Sequence, residues 1–244
     1  MPEKSSPVAF HTLLKSALRS RCASRKAAIL FTGGLDSTAL AVLARNCQPS
    51  LFFAAVDDPA CANYNRSSIS ACKTIAAALG LSFHVVPVRK KDYLRNLLLL
   101  TQASRRPIKD LDLPAVMCLL TAIKRNGINT VISGMGADEI FRLPSATLKR
   151  FLEQQAPDTL ADHQEIARRN KMIFFCPFLS RAVTRHALTT PLAQRKHKQP
   201  LIKIVGDVLG TGRPAPKHLA AHSFIPADFL KPAKLLIRAR LSGK

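Results

Sequence analysis

Two short stretches of this chain combine glycines with a carboxylate directly after an apolar run. In the first, residues 32–37 read Thr-Gly-Gly-Leu-Asp-Ser and follow the apolar residues 27–31. Glycines let the backbone turn tightly against an anion, and a helix that starts near Asp36 offers free N–H groups to that anion. Because a carboxylate and a phosphate are both negatively charged, a divalent cation is expected between them. The stretch therefore favours a site for pyrophosphate and magnesium, although the same turn also occurs in α/β proteins that bind no phosphate.

The second stretch repeats this construction. Residues 133–139 read Ser-Gly-Met-Gly-Ala-Asp-Glu and follow Thr-Val-Ile at residues 130–132, the end of a predicted strand. The first stretch is neither a Walker loop, because no Gly-Lys-Ser/Thr follows, nor a GxGxxG dinucleotide turn. Two Gly-rich, Asp-bearing strand ends in one parallel sheet would face a single ligand across the edge of the sheet.

Strands and helices that position these loops alternate along the first half of the chain. Right-handed crossovers between such strands predict an α/β fold with a doubly wound parallel sheet, of the kind that places ligands at the carboxyl ends of its strands. The predicted strands span residues 27–31, 50–56, 81–88 and 129–133, and the predicted helices span residues 37–46, 64–79 and 112–127.

The pattern becomes helical beyond Phe141. We expect one domain over residues 1–244, with an α/β core at 10–142, a helical C-terminal part at 143–230 and a basic tail at 231–244. A composition that is 47% hydrophobic supports a real core in a chain of 244 residues.

A further helix is predicted before the first strand. Phe10, Leu14 and Leu18 fall on one face of it, and its Ser- and Arg-rich remainder carries no acid. Such a helix fits either a structural element or a mitochondrial presequence. We favour the structural helix, and with it a cytoplasmic protein, with a mitochondrial location as the alternative. Six cysteines without CxxC spacing suit reduced thiols in an intracellular protein.

The charge of the chain is far from balanced. Its 37 Lys+Arg against 15 Asp+Glu give a net charge of +22, which exceeds what an ATP site needs. Basic clusters attract polyanions, so nucleic acid is a candidate partner, beside the alternatives of a solvated basic surface or an acidic protein partner. No membrane partner is expected, because no apolar run is long enough to span a bilayer.

The two motifs resemble those of a known family. Residues 32–37 are similar to the SGGxDS loop of the PP-loop ATP pyrophosphatases, with Thr32 in place of the first serine, and residues 133–139 are similar to the SGxGADE segment of the asparagine synthetases. The resemblance covers roughly residues 10 to 225 and is to the C-terminal synthetase domain, without the N-terminal glutaminase domain. Further similarities follow in the family's order at residues 177–180 (PFLD), at Lys198 (K-x-x-L-R) and at Pro216-Lys217 before Phe224 (R-P-K-x-x-F).

The resemblance implies an ATP-dependent, AMP-forming amide ligase that uses Mg²⁺ and activates a small-molecule carboxylate, aspartate or similar, as an acyl-adenylate. It also implies roles for individual residues. The implied pyrophosphate loop is Thr32, Gly33, Gly34, Leu35, Asp36 and Ser37, and the implied magnesium ligands are Asp36 and Asp138. The implied nucleotide contacts are Ser133, Gly134 and, for adenine, Val56. The implied catalytic residues are Lys198, Lys217 and Glu139.

Each role has a structural alternative. Asp138 and Glu139 could merely cap a helix, and Lys198 and Lys217 could be solvated lysines of a basic chain. Met135 stands where asparagine synthetases commonly carry a glutamate that acts as a base on the incoming amine. Methionine takes no proton, which counts against the usual route to asparagine.

The ammonia source follows from the same comparison. Because the resemblance includes no glutaminase half, ammonia is expected from solution or from a separate glutaminase subunit. Two other functions stay open: a PP-loop enzyme that adenylates RNA, and a catalytically degenerate, basic RNA- or protein-binding component.

Overall fold

The computed structural model describes residues 7–22, 26–103 and 110–209, together with Pro226 and Phe229. Five parallel strands form one sheet in the order β3-β2-β1-β4-β5. The strands are β1 (Ala27–Leu30), β2 (Ser50–Val56), β3 (Phe83–Val88), β4 (Thr130–Ile132) and β5 (Ile173–Phe175).

The centre of the sheet is where the chain changes direction. Ile29 of β1 is in register with Leu51 of β2 on one side and with Ile132 of β4 on the other. The chain winds outward to β2 and β3 and then returns to place β4 beside β1. The loops that follow β1 and β4 are therefore neighbours at the carboxyl edge, which is where doubly wound sheets bind ligands.

Helices cover both faces of this sheet. Ile29 belongs to a core that includes α1, α2, α9 and α11, whereas its neighbour Ala28 belongs to a second core with α5 and α8. Alternate residues of a strand point to opposite faces, so the predicted doubly wound α/β fold is confirmed. The helices are α1 (Pro7–Cys22), α2 (Leu35–Ala44), α3 (Ala62–Leu79), α4 (Lys90–Ala103), α5 (Leu113–Arg125), α6 (Ala137–Arg142), α7 (Ser145–Gln154), α8 (Ala156–Arg169), α9 (Arg181–Thr189), α10 (Leu192–Arg195) and α11 (Gln199–Leu209).

Helix α1 is part of the main core. Phe10, Leu14 and Leu18 are all buried against the helices of its layer, as the structural interpretation predicts. Within the described ranges, no helix combines the length and the apolar content needed to cross a membrane.

One strand of the sheet, β5, was not predicted from the sequence. Strand β5 lies inside residues 143–230, which were expected to be helical, and this expectation is corrected. Three residues are too few to show a period, and β5 is stabilised by its pairing with β4, which the local sequence does not reveal. The proposed basic tail at 231–244 lies outside the described residues, and the division of the chain at 142 stays a prediction.

Candidate active site at the carboxyl edge of the sheet

The loop between β1 and α2 is closed by its own hydroxyl groups. Ser37 Oγ donates to the carbonyl of Gly34 at 3.1 Å and accepts from the N–H of Thr32 at 3.3 Å. Thr32 Oγ1 accepts from the N–H of Gly34 at 3.3 Å. The loop thereby holds the N-terminus of α2, whose first N–H groups have no intrahelical acceptor, at the carboxyl edge of the sheet.

Gly33 is required in this loop for two reasons. Its φ is +72°, which residues with a side chain rarely adopt, and a Cβ atom there would lie 2.9 Å from Sγ of Cys72 in α3. Cys72 is fully buried, so the thiol is enclosed by its neighbours. The backbone of the loop consequently packs directly against α3.

The loop between β4 and α6 is built in a similar way. Ser133 donates its N–H to the carbonyl of Phe175 at 2.9 Å, and its Oγ accepts from the N–H of Met135 at 3.3 Å. Gly136 has a φ of +88°, and a Cβ atom on it would overlap the side chain of Leu179. A glycine is therefore needed here to turn the chain into α6.

The two loops touch each other. A Cβ atom on Gly134 would lie 3.4 Å from Cβ of Asp36 and 3.7 Å from the backbone nitrogen of Ser37. The absent side chain of Gly134 thus lets the second loop approach the start of α2, and the two Asp-bearing turns form one site, as their positions after neighbouring strands predict.

Lys198 joins the carboxylates of the two loops. Its Nζ lies 2.6 Å from Oδ2 of Asp36 and 2.9 Å from Oδ1 of Asp138. The Asp36 contact is a hydrogen bond, whereas Asp138 forms ion pairs with Lys198 and, at 3.1 Å, with Nε of Arg142. Because the Lys198 side chain is only 13% exposed, this pairing is screened far less than one on the surface.

The turn that carries Lys198 has an unusual backbone. His197 and Lys198 both adopt left-handed conformations, with φ of 59° and 56°. Each such residue costs on the order of 1–2 kcal/mol, so the surrounding structure must hold the turn in place. Strain of this kind at a half-buried, doubly paired lysine points to a positioned functional group.

The surroundings of Asp36 disfavour the ionised form of its side chain. Burial raises the pKa of Asp36; the nearby Lys198 opposes this, the carboxylate of Asp138 raises the pKa further, and Arg142 lowers it. Its second oxygen, Oδ1, is buried without a hydrogen-bond partner among the described residues.

These features fit a magnesium ion that is shared with phosphate. An unpartnered, buried carboxylate oxygen is a ready ligand for a cation, and Mg²⁺ commonly takes one or two carboxylates, with phosphate oxygens and water completing its shell. The described residues contain no group of three or more His, Cys, Asp or Glu side chains that would hold a metal alone. Asp36 and Asp138 would therefore bind the ion together with a nucleotide.

A cavity of about 380 Å³ lies against these loops. Its floor is apolar and includes Phe52 and Leu119, and its polar lining includes Asp110 and the buried His163. A cavity of this size and composition suits a small molecule. The predicted site residues that line it are Thr32, Asp36, Ser37, Val56, Ser133, Gly134, Asp138 and Glu139.

The sequence profile of the family described as asparagine synthase matches residues 9–172. This range contains both loops and the sheet from β1 to β4. The chain belongs to the asparagine synthase family. Asparagine synthase relatives use ATP, so the protein is an ATP-utilising enzyme of the synthetase type. No curated protein matches the chain. Among solved structures it is similar to an NMN synthetase from Francisella tularensis, at 13% identity and a TM-score of 0.40, over 90% of this chain and 99% of that one.

The other residues assigned from the asparagine synthase motifs fall into two groups. Gly33, Gly34 and Leu35 shape the first loop and the start of α2 without lining the cavity. Lys198 reaches the site from a turn far along the chain, and its catalytic role stays a prediction. Lys217 lies outside the described residues.

Arg195 is a residue of the site region that sequence reasoning missed. It is fully buried, and its guanidinium group donates to the carbonyls of Ile140, Leu143 and Thr190. These carbonyls lie at the ends of α6 and α9, where a cation is favoured by the helix dipole. Burial lowers the pKa of Arg195. Arg195 lies three residues before Lys198 and connects the strained turn to α6, the helix that carries Asp138. It belongs to no recognised motif, so nothing in the sequence distinguishes it from the other Lys and Arg residues, which number 37 in all.

Proposed function

We propose that the protein is an ATP-dependent, AMP-forming ligase that activates a carboxylate, aspartate or a similar acid, and transfers the acyl group to ammonia or an amine. The observation that carries this proposal is the junction of Asp36, Asp138 and Lys198 at the point where two glycine loops meet. The junction supplies carboxylates for a cation and an ammonium group for phosphate, side by side at a helix N-terminus.

The first loop is assigned to the β and γ phosphates. The N-terminus of α2 supplies N–H groups, and Thr32 and Ser37 keep the backbone in the shape that presents them. Ser133 and Gly134 line the cavity beside the first loop, and we assign them to contact with the nucleotide. Val56 at the end of β2 lines the same cavity, and we assign it to the adenine ring.

The chemistry has two steps. A carboxylate oxygen of the substrate attacks the α-phosphorus, the bond from this phosphorus to the α,β-bridging oxygen breaks, and pyrophosphate leaves. The amine nitrogen then attacks the acyl carbon, the bond to AMP breaks, and the nitrogen loses a proton. Lys198 stabilises the charge that develops on the phosphate oxygens in the first step. Magnesium, when bound, supplies further positive charge for the same oxygens.

The second step needs a proton acceptor other than Met135. Glu139 lines the cavity in the first turn of α6, and among the described residues Lys198 forms its salt bridges with Asp36 and Asp138 and not with Glu139. We assign it the role of accepting the proton of the amine. Ammonia from solution or from a separate subunit serves as the donor.

The test is AMP and pyrophosphate release with ATP, magnesium, ammonium and a panel of carboxylic acids that includes aspartate. The wild-type protein is expected to release AMP only when its carboxylate is present. Asp36→Asn preserves the shape of the side chain and removes its charge, so AMP release should fall by about 100-fold or more.

The matched control is Asp207→Asn, which removes an exposed carboxylate from α11 and should leave AMP release unchanged. Unfolding curves of both variants separate a loss of chemistry from a loss of fold. Carboxylate-independent release of ADP and phosphate, or AMP release that survives Asp36→Asn, would overturn the proposal.

A further inference from the structure

One layer of the protein presents exposed cations that form no salt bridge with a carboxylate of the described residues. Helix α1 packs against α9 and α11, and all three helices turn their apolar residues inward to the same core. The exposed basic side chains of this layer, which we call the basic face, are Lys15, Arg19, Arg21, Arg181, Arg185, Lys196 and Lys203.

Acidic residues are nearly absent from this part of the chain. Residues 7–22 and 181–209 contain one acid, Asp207. Among the described residues, no carboxylate forms a salt bridge with any member of the basic face. On α8, in the opposite layer, Arg168 and Arg169 by contrast both bind Glu165 at 2.8 Å. The positive charge of the basic face is therefore balanced only by counterions from solvent, which a bound polyanion would release.

The residue types on the basic face indicate which class of partner it can bind. The large apolar side chains of α1, Phe10, Leu14 and Leu18, are buried, and the exposed large hydrophobic residues of the described part of the chain, Val85, Leu98 and Leu99, lie on β3 and α4. Protein interfaces need an apolar centre, and amphipathic helices on membranes need an exposed apolar face. The basic face offers neither, whereas phosphate recognition needs only well-placed Arg and Lys groups.

We propose that the basic face binds the phosphodiester backbone of nucleic acid, independently of base sequence. Four of its seven cations are arginines, which form paired hydrogen bonds to phosphate oxygens. The cations of the ATP site do not belong to the basic face. Lys198 is already paired with carboxylates, and Arg195 donates to backbone carbonyls. The inference goes beyond the proposed ligase activity and does not depend on it.

The experiment measures binding of a labelled single-stranded RNA by fluorescence anisotropy over a series of salt concentrations. The test variant is Arg181→Gln with Arg185→Gln, both on α9. Each lost phosphate contact removes about 0.7 from the slope of log affinity against log salt, so the slope should become less steep by about 1.4, with affinity at low salt reduced about tenfold or more.

The matched control is Arg168→Gln with Arg169→Gln on α8, which removes the same number of charges from the opposite layer. It should keep the wild-type slope. Unfolding curves and AMP release should be unchanged in the α9 variant, because neither arginine belongs to the ATP site.

Two further arms identify the ligand. Single-stranded DNA of the same sequence, and RNA of scrambled sequence, should bind within a few-fold of the first RNA, since only the backbone is recognised. Equal losses in the α8 and α9 variants would show an effect of net charge alone and overturn the proposal. So would strong sequence preference, or binding to anionic phospholipid vesicles without binding to RNA.

Discussion

At the scale of the residue, the geometry of the site depends on three glycines, which have no side chain, as much as on the charged residues. Gly33, Gly134 and Gly136 each leave room where a Cβ atom would contact Cys72, Asp36 or Leu179. Two of these glycines also have positive φ, so conformation and space act together. Lys198 then supplies an ammonium group that both aspartates contact.

The first prediction separates conformation from space. Gly33→Ala and Gly80→Ala both place a side chain on left-handed backbone, but Gly80 has no atom within 4 Å of its added Cβ. Gly80→Ala should destabilise the protein by about 1 kcal/mol, and Gly33→Ala by about 1–3 kcal/mol more, because of the overlap with Cys72. Urea unfolding measures both. Cys72→Ala should recover much of the extra loss in a double-mutant cycle, and equal costs for the two glycine variants would contradict the packing described here.

The second prediction concerns the cation between the aspartates. Lys198→Met leaves Asp36 and Asp138 without their shared ammonium group, so magnesium should raise the melting temperature of this variant more than that of the wild type. AMP release should fall by about 100-fold. Lys203→Met, an exposed change on α11, is the control and should respond to magnesium as the wild type does. Identical magnesium responses in all three proteins would argue against a metal site at these carboxylates.

At the scale of the element, the position of each loop is set by the helices around it. The turn with Lys198 is held by Arg195, and α1 completes the core beneath α2. Neither this turn nor α1 contains a motif residue of the first loop, yet both help to fix the position of Asp36, the carboxylate of that loop.

The third prediction tests the turn. Arg195→Met leaves the carbonyls of Ile140, Leu143 and Thr190 buried without their donor, which should cost about 2–4 kcal/mol of unfolding free energy. Arg185→Met removes an exposed guanidinium from α9 and should cost less than about 0.5 kcal/mol. Chemical denaturation provides the comparison. A mild Arg195→Met variant would show that other contacts hold the turn.

The fourth prediction tests whether α1 is structural. Leu14→Ala removes a fully buried side chain and should destabilise the protein by about 2–5 kcal/mol, whereas the exposed neighbour Lys15→Ala should have little effect. Thermal unfolding of the two variants is sufficient. A helix that served only as a targeting segment would tolerate both changes equally.

At the scale of the whole molecule, the net charge of +22 affects both stability and association. Like charges repel most strongly in the compact state, so folding works against this excess. The repulsion is long in range, and it is therefore the part of the energetics that salt changes most.

The fifth prediction follows from this repulsion. Raising sodium chloride from a very low concentration to about 0.15 M shortens the screening length to about 8 Å and should raise the melting temperature. Differential scanning calorimetry over a salt series would show the trend. Melting that is unaffected or lowered by salt would mean that local ion pairs, such as those of Glu165, outweigh the repulsion.

Much of the fold was predictable because its signals are local. The apolar runs before the two glycine loops, Gly80 at the end of α3 and the spacing of Phe10, Leu14 and Leu18 each depend on residues close in sequence. Strand β5 was not predictable in this way, because three residues carry no period and their pairing partner is β4. The loops themselves were recognised from glycines whose need for space or positive φ the structure confirms at Gly33 and Gly136.

The sequence by itself determined the doubly wound sheet, the two glycine loops and the aspartates within them, since backbone preference and apolar periodicity act over a few residues. The resemblance indicated Lys198, but only the tertiary structure decided that its ammonium group reaches Asp36, 162 residues away, and that Arg195 is the buried cation next to this turn. The physical reason is that any of the 37 Lys+Arg could form an ion pair with an aspartate. Only the path of the folded chain brings Lys198 within 2.6 Å of Asp36 and shields the pair partly from water.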